Sequence, residues 1–191
     1  MPTYSSQQLL QKLQTQTEIF LDTAISQWQM MPHSVFARKP AAGSWSANEC
    51  LQHLNSYGHY YIPAIEKAIK EAKAPAQPQF QSGWLGNYFT KLMQPSEPGK
   101  MKKMKSPKDH QPAAILPSHE VISEFISQQE KLLQLLRTSA SVDLGNTRIP
   151  ISISKWIKLK LGDTFQFLIV HEHRHFLQAQ RALAAANPVT I

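Results

Sequence analysis

The sequence has a single cysteine, Cys50, among its 191 residues, which excludes an internal disulfide framework and fits a reducing compartment. Cys50 sits next to an apolar stripe and reads as a small core residue rather than a nucleophile. No window approaches the roughly 20 unbroken apolar residues that a membrane span requires. The N-terminus, Met-Pro-Thr-Tyr-Ser-Ser-Gln-Gln, has neither a basic region nor an apolar core of the signal-peptide kind. These absences point to a cytoplasmic protein with no membrane partner. There is no internal repeat, no glycine-rich phosphate loop, no Gly-x-Ser-x-Gly elbow and no zinc-finger spacing. With 42% hydrophobic residues the chain has enough apolar material for a real core, and its length fits one domain over residues 1–191.

Acidic residues are the scarcer charge, 13 against 20 basic, giving a formal net charge of +7. That excess invites a nucleic-acid reading, but five of the lysines fall within Lys100–Lys108, inside a proline-rich stretch. The helical segments carry mixed charge. A solvated loop accounts for the cluster, and nucleic-acid binding ranks last among the functions considered.

Apolar spacing defines four long helices. The first runs from Ser5 or Ser6 to about Met31, with Leu9, Leu10, Leu13, Phe20, Ala24 and Trp28 inward. The second opens at Ser46-Ala-Asn-Glu49, a capping box in which Ser46 accepts from the Glu49 amide and Glu49 reaches back, with Trp45 as a hydrophobic staple on Cys50. It continues through Cys50, Leu54, Tyr57, Tyr61, Ile65 and Ile69, and Pro63 should kink it. Residues 74–117 hold seven of the 13 prolines and form a long excursion, within which Trp84–Met93 reads as a short apolar helix. Ser118 should cap the third helix, which buries Val121, Ile122, Phe125, Ile126, Leu132, Leu133 and Leu136. Residues 141–160 read as an irregular or short extended connection, and Gly162-Asp163 opens the fourth helix. The architecture implied is an all-α four-helix bundle with a long crossover between the second and third helices.

The fourth helix contains His171-Glu-His-Arg-His175-Phe-Leu-Gln178. At about 100° per residue His171 and His175 share one face, Gln178 joins them a turn later, and His173 lies about 160° away. The pair alone is equally well explained by one buried and one exposed histidine. A metal reading requires a third ligand from another helix. His53, on the shoulder of the second helix's apolar stripe, is the best placed. His59, six residues on, projects from a different side, while His33, His110, His119 and His173 fall in loops, at a helix start or on an outer face. Three imidazoles would leave a divalent ion with open positions, the pattern of catalytic rather than structural zinc.

Trp45-Ser-Ala-Asn-Glu-Cys-Leu-Gln-His53-Leu resembles the Trp-Ser-x-x-Glu-x-Leu-x-His-Leu signature of the DinB-like superfamily. His171-x-x-Arg174-His175-x-x-Gln178 is similar to that superfamily's C-terminal His-x-x-x-His motif and its usual neighbours. The resemblance implies an up-down-down-up bundle and a divalent ion, nickel or zinc, held by His53, His171 and His175. Trp45, Ser46, Glu49, Arg174 and Gln178 would support that site. It also implies frequent homodimers and a small-molecule substrate, in some relatives a low-molecular-weight thiol such as bacillithiol or mycothiol. The function expected is a metal-dependent thiol S-transferase or hydrolase. The alternative is a non-catalytic helical interaction module with a structural or vestigial metal site. The 74–117 excursion departs from a minimal family member and bears on substrate class and dimer geometry.

Overall fold

The computed structural model describes residues 1–95, 105–112 and 116–186, and helix dominates it. Four long helices carry the core: α1 (Ser6–Thr23), α3 (Ala47–Glu71), α5 (Ser118–Thr138) and α6 (Leu161–Ala186), with two shorter ones, α2 (His33–Phe36) and α4 (Trp84–Met93). Each long helix buries the stripe that its spacing dictates. α3 packs on both α5 and α6, and α1 packs on the same two helices, so the four close a ring around one continuous apolar cluster. No helix among the described residues is long and apolar enough to cross a membrane.

Local details follow the expected chemistry in most places. Ser46 accepts from the Glu49 amide at 3.2 Å and its own amide donates to Glu49 Oε2 at 2.9 Å, completing the capping box. α3 runs on through Pro63, which lies on its exposed side, to Glu71. α1 ends in a π-helical turn, Ala24–Trp28, where the Gln29 amide donates to the Ala24 carbonyl. This wider turn sets Trp28 against Phe36 and Phe176.

Two expectations are corrected. Ser118 does not cap α5. Pro117, with extended backbone, takes the N-cap position and Ser118 is the first helical residue. Proline offers no side-chain acceptor, so the Ser118 amide donates instead to Nδ1 of His33 at 3.2 Å. The fold is also not purely helical. β1 (Thr3–Ser5) pairs antiparallel with β2 (Gln79–Gln81), and β3 (Arg148–Ile151) pairs with β4 (Ser154–Lys160) through an irregularity at Pro150/Ile151.

The excursion is built onto the bundle. α4 rests on α6, where Gly86 faces Asp163 so closely that a Cβ there would lie 2.3 Å from the Asp163 carboxyl carbon. Asp163 in turn accepts from the Ser82 hydroxyl and the Gly83 amide, anchoring the start of α4. Of the basic cluster, Lys100, Lys102 and Lys103 lie outside the described residues. The remainder is more than a solvated loop, because Lys105, Ser106 and Pro107 line the main cavity and a 3₁₀ turn, Lys108–His110, follows.

Gly86→Ala should therefore lift α4 off α6 and destabilise the protein by about 1–3 kcal/mol, the usual scale for overpacking. Urea denaturation of the two proteins measures it. An unchanged midpoint would show that the contact relaxes freely.

Candidate metal centre

His53 lies in the second turn of α3, positioned by the capping box that starts the helix. His171 and His175 stand one turn apart on α6, and one ring nitrogen from each of the three residues lies within 4.8 Å of the others. The ring centroids are 4.4 Å apart for His53–His175, 4.7 Å for His171–His175 and 5.0 Å for His53–His171. His59 is exposed and pairs with Glu124, and His173 stacks on Phe20, so neither joins the cluster.

Hydrogen bonds fix which nitrogens are available. His53 Nδ1–H donates to the His110 carbonyl at 2.6 Å, so Nε2 of His53 is bare. His175 Nδ1 donates to Gln178 Oε1 at 3.0 Å, which leaves its Nε2 bare as well. His53 Nε2 meets His171 Nε2 at 3.2 Å. Two bare nitrogens would repel at that distance, so without an ion His171 keeps its proton on Nε2 and leaves Nδ1 buried without a partner. A cation between them accepts both lone pairs, and the unpartnered Nδ1 is the place for the displaced proton. Two nitrogens on one tetrahedral zinc stand about 3.3–3.4 Å apart, so the observed spacing fits. The donor set, three neutral imidazoles, suits zinc or nickel.

Burial keeps these rings neutral. Desolvation lowers His53 to about 4 and His175 to about 3, and holds His171 well below the ordinary histidine value. The aromatic surroundings supply that dry environment. Trp45 lies 5.1 Å from His53 and 5.8 Å from His175, and Tyr57 lies 4.4 Å from His171. The centre opens into a cavity of about 610 Å³ walled by Tyr57, Tyr61, Phe89 and Phe167, with Arg174 and Gln178 also on its lining. Glu49 stays at the helix start, paired with Lys39 at 2.8 Å.

Two contributors were not legible. His110, assigned to a loop, is buried, stacks on Tyr57 at 3.9 Å and supplies the carbonyl that orients His53. No local pattern marks it, because its role lies in a backbone oxygen. Tyr57 was read only as core, although its position one turn after His53 was the available signal. Glu172 is a third surprise, a carboxyl buried between helices that accepts from Gln129 Nε2 at 3.2 Å. Desolvation pushes it up to about 8.

The helical fold thus brings together an internal three-histidine cluster that could hold a metal ion and that opens to a cavity. A family model described as the DinB superfamily matches residues 11–179, and the chain belongs to that superfamily. The match starts within α1, ends within α6 and includes all three histidines. Comparison with curated proteins and with solved structures finds no match.

The histidines bind protons more weakly when folded than a free imidazole, whose ordinary value is 6.5, so the unfolded chain holds the extra protons below that pH. Stability of the metal-free protein should therefore fall as pH drops from about 6.5 towards 4. Glu172 has the opposite sign, since its folded form holds a proton between 4.5 and about 8. Its contribution is lost as pH rises through that window. Thermal melts across the range, on wild type and Glu172→Gln, check both signs. The variant should retain the acid-side loss and lose the slope on the alkaline side.

Proposed function

We propose that this protein is a divalent-metal-dependent enzyme acting on a small molecule, as a thiol S-transferase or a hydrolase, with His53, His171 and His175 as the metal ligands. The observation that carries the reading is the position of the three bare or releasable imidazole nitrogens on the lining of a roomy cavity. A purely structural ion needs no such opening.

When bound, a zinc or nickel ion supplies Lewis acidity that makes a water molecule or a thiol nucleophilic near neutral pH. The chain's own residues do the rest. The His110 carbonyl and Gln178 side chain hold two ligand rings in one tautomer and one orientation, which shortens the search for a productive geometry. Trp45, Tyr57 and Phe167 exclude water and press on the rings. Cys50 and Tyr57 do not compete as protein nucleophiles. Burial pushes the Cys50 thiol far up, and its side chain is enclosed in the core. The Tyr57 hydroxyl is pushed up to about 12 by desolvation, so it remains protonated at neutral pH.

Calorimetric titration of zinc and nickel into protein purified without a nickel column tests the assignment. His53→Ala, His171→Ala and His175→Ala should each weaken binding by at least about 100-fold, and Gln178→Ala by about tenfold, the scale of losing an outer-shell partner. His173→Ala should bind as wild type does. Turnover of model esters, and of an electrophile supplied with a small thiol, should require the ion and separate hydrolysis from thiol transfer. Equal metal binding by wild type and His53→Ala would refute the proposed ligand set.

A further inference from the structure

The β3–β4 hairpin carries exposed apolar side chains that the bundle does not use. Ile151 pairs with Ser154 and Pro150 with Lys158, so Lys155, Trp156 and Ile157 have no partner on β3 and bulge out of the ladder. A regular strand would turn alternate residues back towards the core, as β4 does again at Leu159. The bulge instead leaves three successive side chains in solvent. Trp156 is 96% exposed, Ile157 40%, and Ile153, at the tip, 65%. Three such side chains on one hairpin tip, with basic residues among them, mark an interaction surface.

The charge around them is of one sign. From Leu144 to Gly162 the chain has Arg148, Lys155, Lys158 and Lys160 and no acidic residue. The flanking carboxylates are occupied: Asp143 accepts from Gly145 and Asn146, and Asp163 from Ser82 and Gly83. Lys160 donates to the Gln81 carbonyl. Lys155 and Lys158 are exposed, and no ion pair among the described residues includes either.

Lysines interleaved with tryptophan and isoleucine fit an anionic bilayer surface better than a protein or a nucleic acid. Lysine is depleted at protein–protein interfaces, and isoleucine has no flat ring to stack on a base. At a lipid surface an indole sits at headgroup level, isoleucines reach the acyl boundary and lysines meet lipid phosphate. We infer that this hairpin tip docks on an anionic membrane surface, with Ile153, Trp156 and Ile157 inserting and Lys155 and Lys158 holding headgroups. Ile153 also belongs to the lining of the histidine cavity, so docking brings the rim of that cavity to the lipid. The inference stands without the metal reading. The expectation of no membrane partner rests on the lack of a spanning segment, and surface docking needs none.

The test sediments the full-length protein with vesicles of phosphatidylcholine alone and with vesicles containing about 30% phosphatidylglycerol. At low salt the anionic vesicles should bind at least about tenfold more tightly, and added salt should narrow the gap. Lys155→Gln and Lys158→Gln should each weaken binding to anionic vesicles about fivefold, the roughly 1 kcal/mol that a basic residue gains there. Trp156→Ser should weaken it about tenfold, and Trp156→Phe should restore most of the loss. Lipid brominated on its acyl chains should quench wild-type fluorescence more than that of Trp156→Phe. Should Trp156→Ser fail to fold, Ile153→Ser carries the same comparison.

No binding to either vesicle, equal binding to both, or undiminished binding by the lysine and tryptophan variants would overturn the inference. A protein that ignores vesicles but binds an oligonucleotide, or self-associates through Trp156, would overturn it too and assign the patch to that partner.

Discussion

The hydrogen bond from His53 Nδ1 to the His110 carbonyl joins two parts of the chain with different origins. His53 belongs to the bundle, whereas His110 belongs to the excursion that leaves the bundle after α3. At 2.6 Å the bond fixes the tautomer of His53 and therefore which nitrogen faces His171. It also closes the cavity, because the same segment brings Lys105, Ser106 and Pro107 onto the lining. Without that contact the His53 ring would lose the acceptor that fixes its orientation. The orientation of His53 and part of the cavity lining thus depend on residues 105–110 lying against α3.

The excursion in turn depends on close approach to α6. Gly86 allows α4 to lie against Asp163, and Asp163 spends its carboxylate on Ser82 and Gly83 at the start of α4. The first turn of the helix that carries two of the histidines thus anchors the segment that covers them. Phe89 then extends from α4 to Phe167, one turn before His171. Packing and site geometry are one system here.

Helical periodicity made most of the bundle readable, because buried stripes such as Leu9, Leu10, Leu13 and Phe20 leave an unambiguous 3.6-residue signature. The capping box and the short apolar helix at 84–93 were readable for the same reason, since each is a local pattern. The histidine cluster was legible because two members share a helical face and the third stands on an inward shoulder. What escaped is non-local. The start of α5 was displaced by one residue because His33, 85 positions away in sequence, meets the Ser118 amide. The β1–β2 ribbon joins residues more than 70 positions apart through strands of three residues, too short to show alternation. His110 contributes a backbone carbonyl, which no residue type announces.

The π-helical turn at Ala24–Trp28 behaves as a counting device. It holds one more residue per turn than an α-helix, so the phase of everything beyond it depends on chain length rather than on residue identity. Deleting one residue there would restore regular winding and swing Trp28 by about 100°. Its ring would leave Phe176, the residue after His175, which Phe20 supports from the preceding turn of α1. The back wall of the histidine helix is therefore sensitive to insertions and deletions in α1, and lineages that alter its length must move their aromatic support in step.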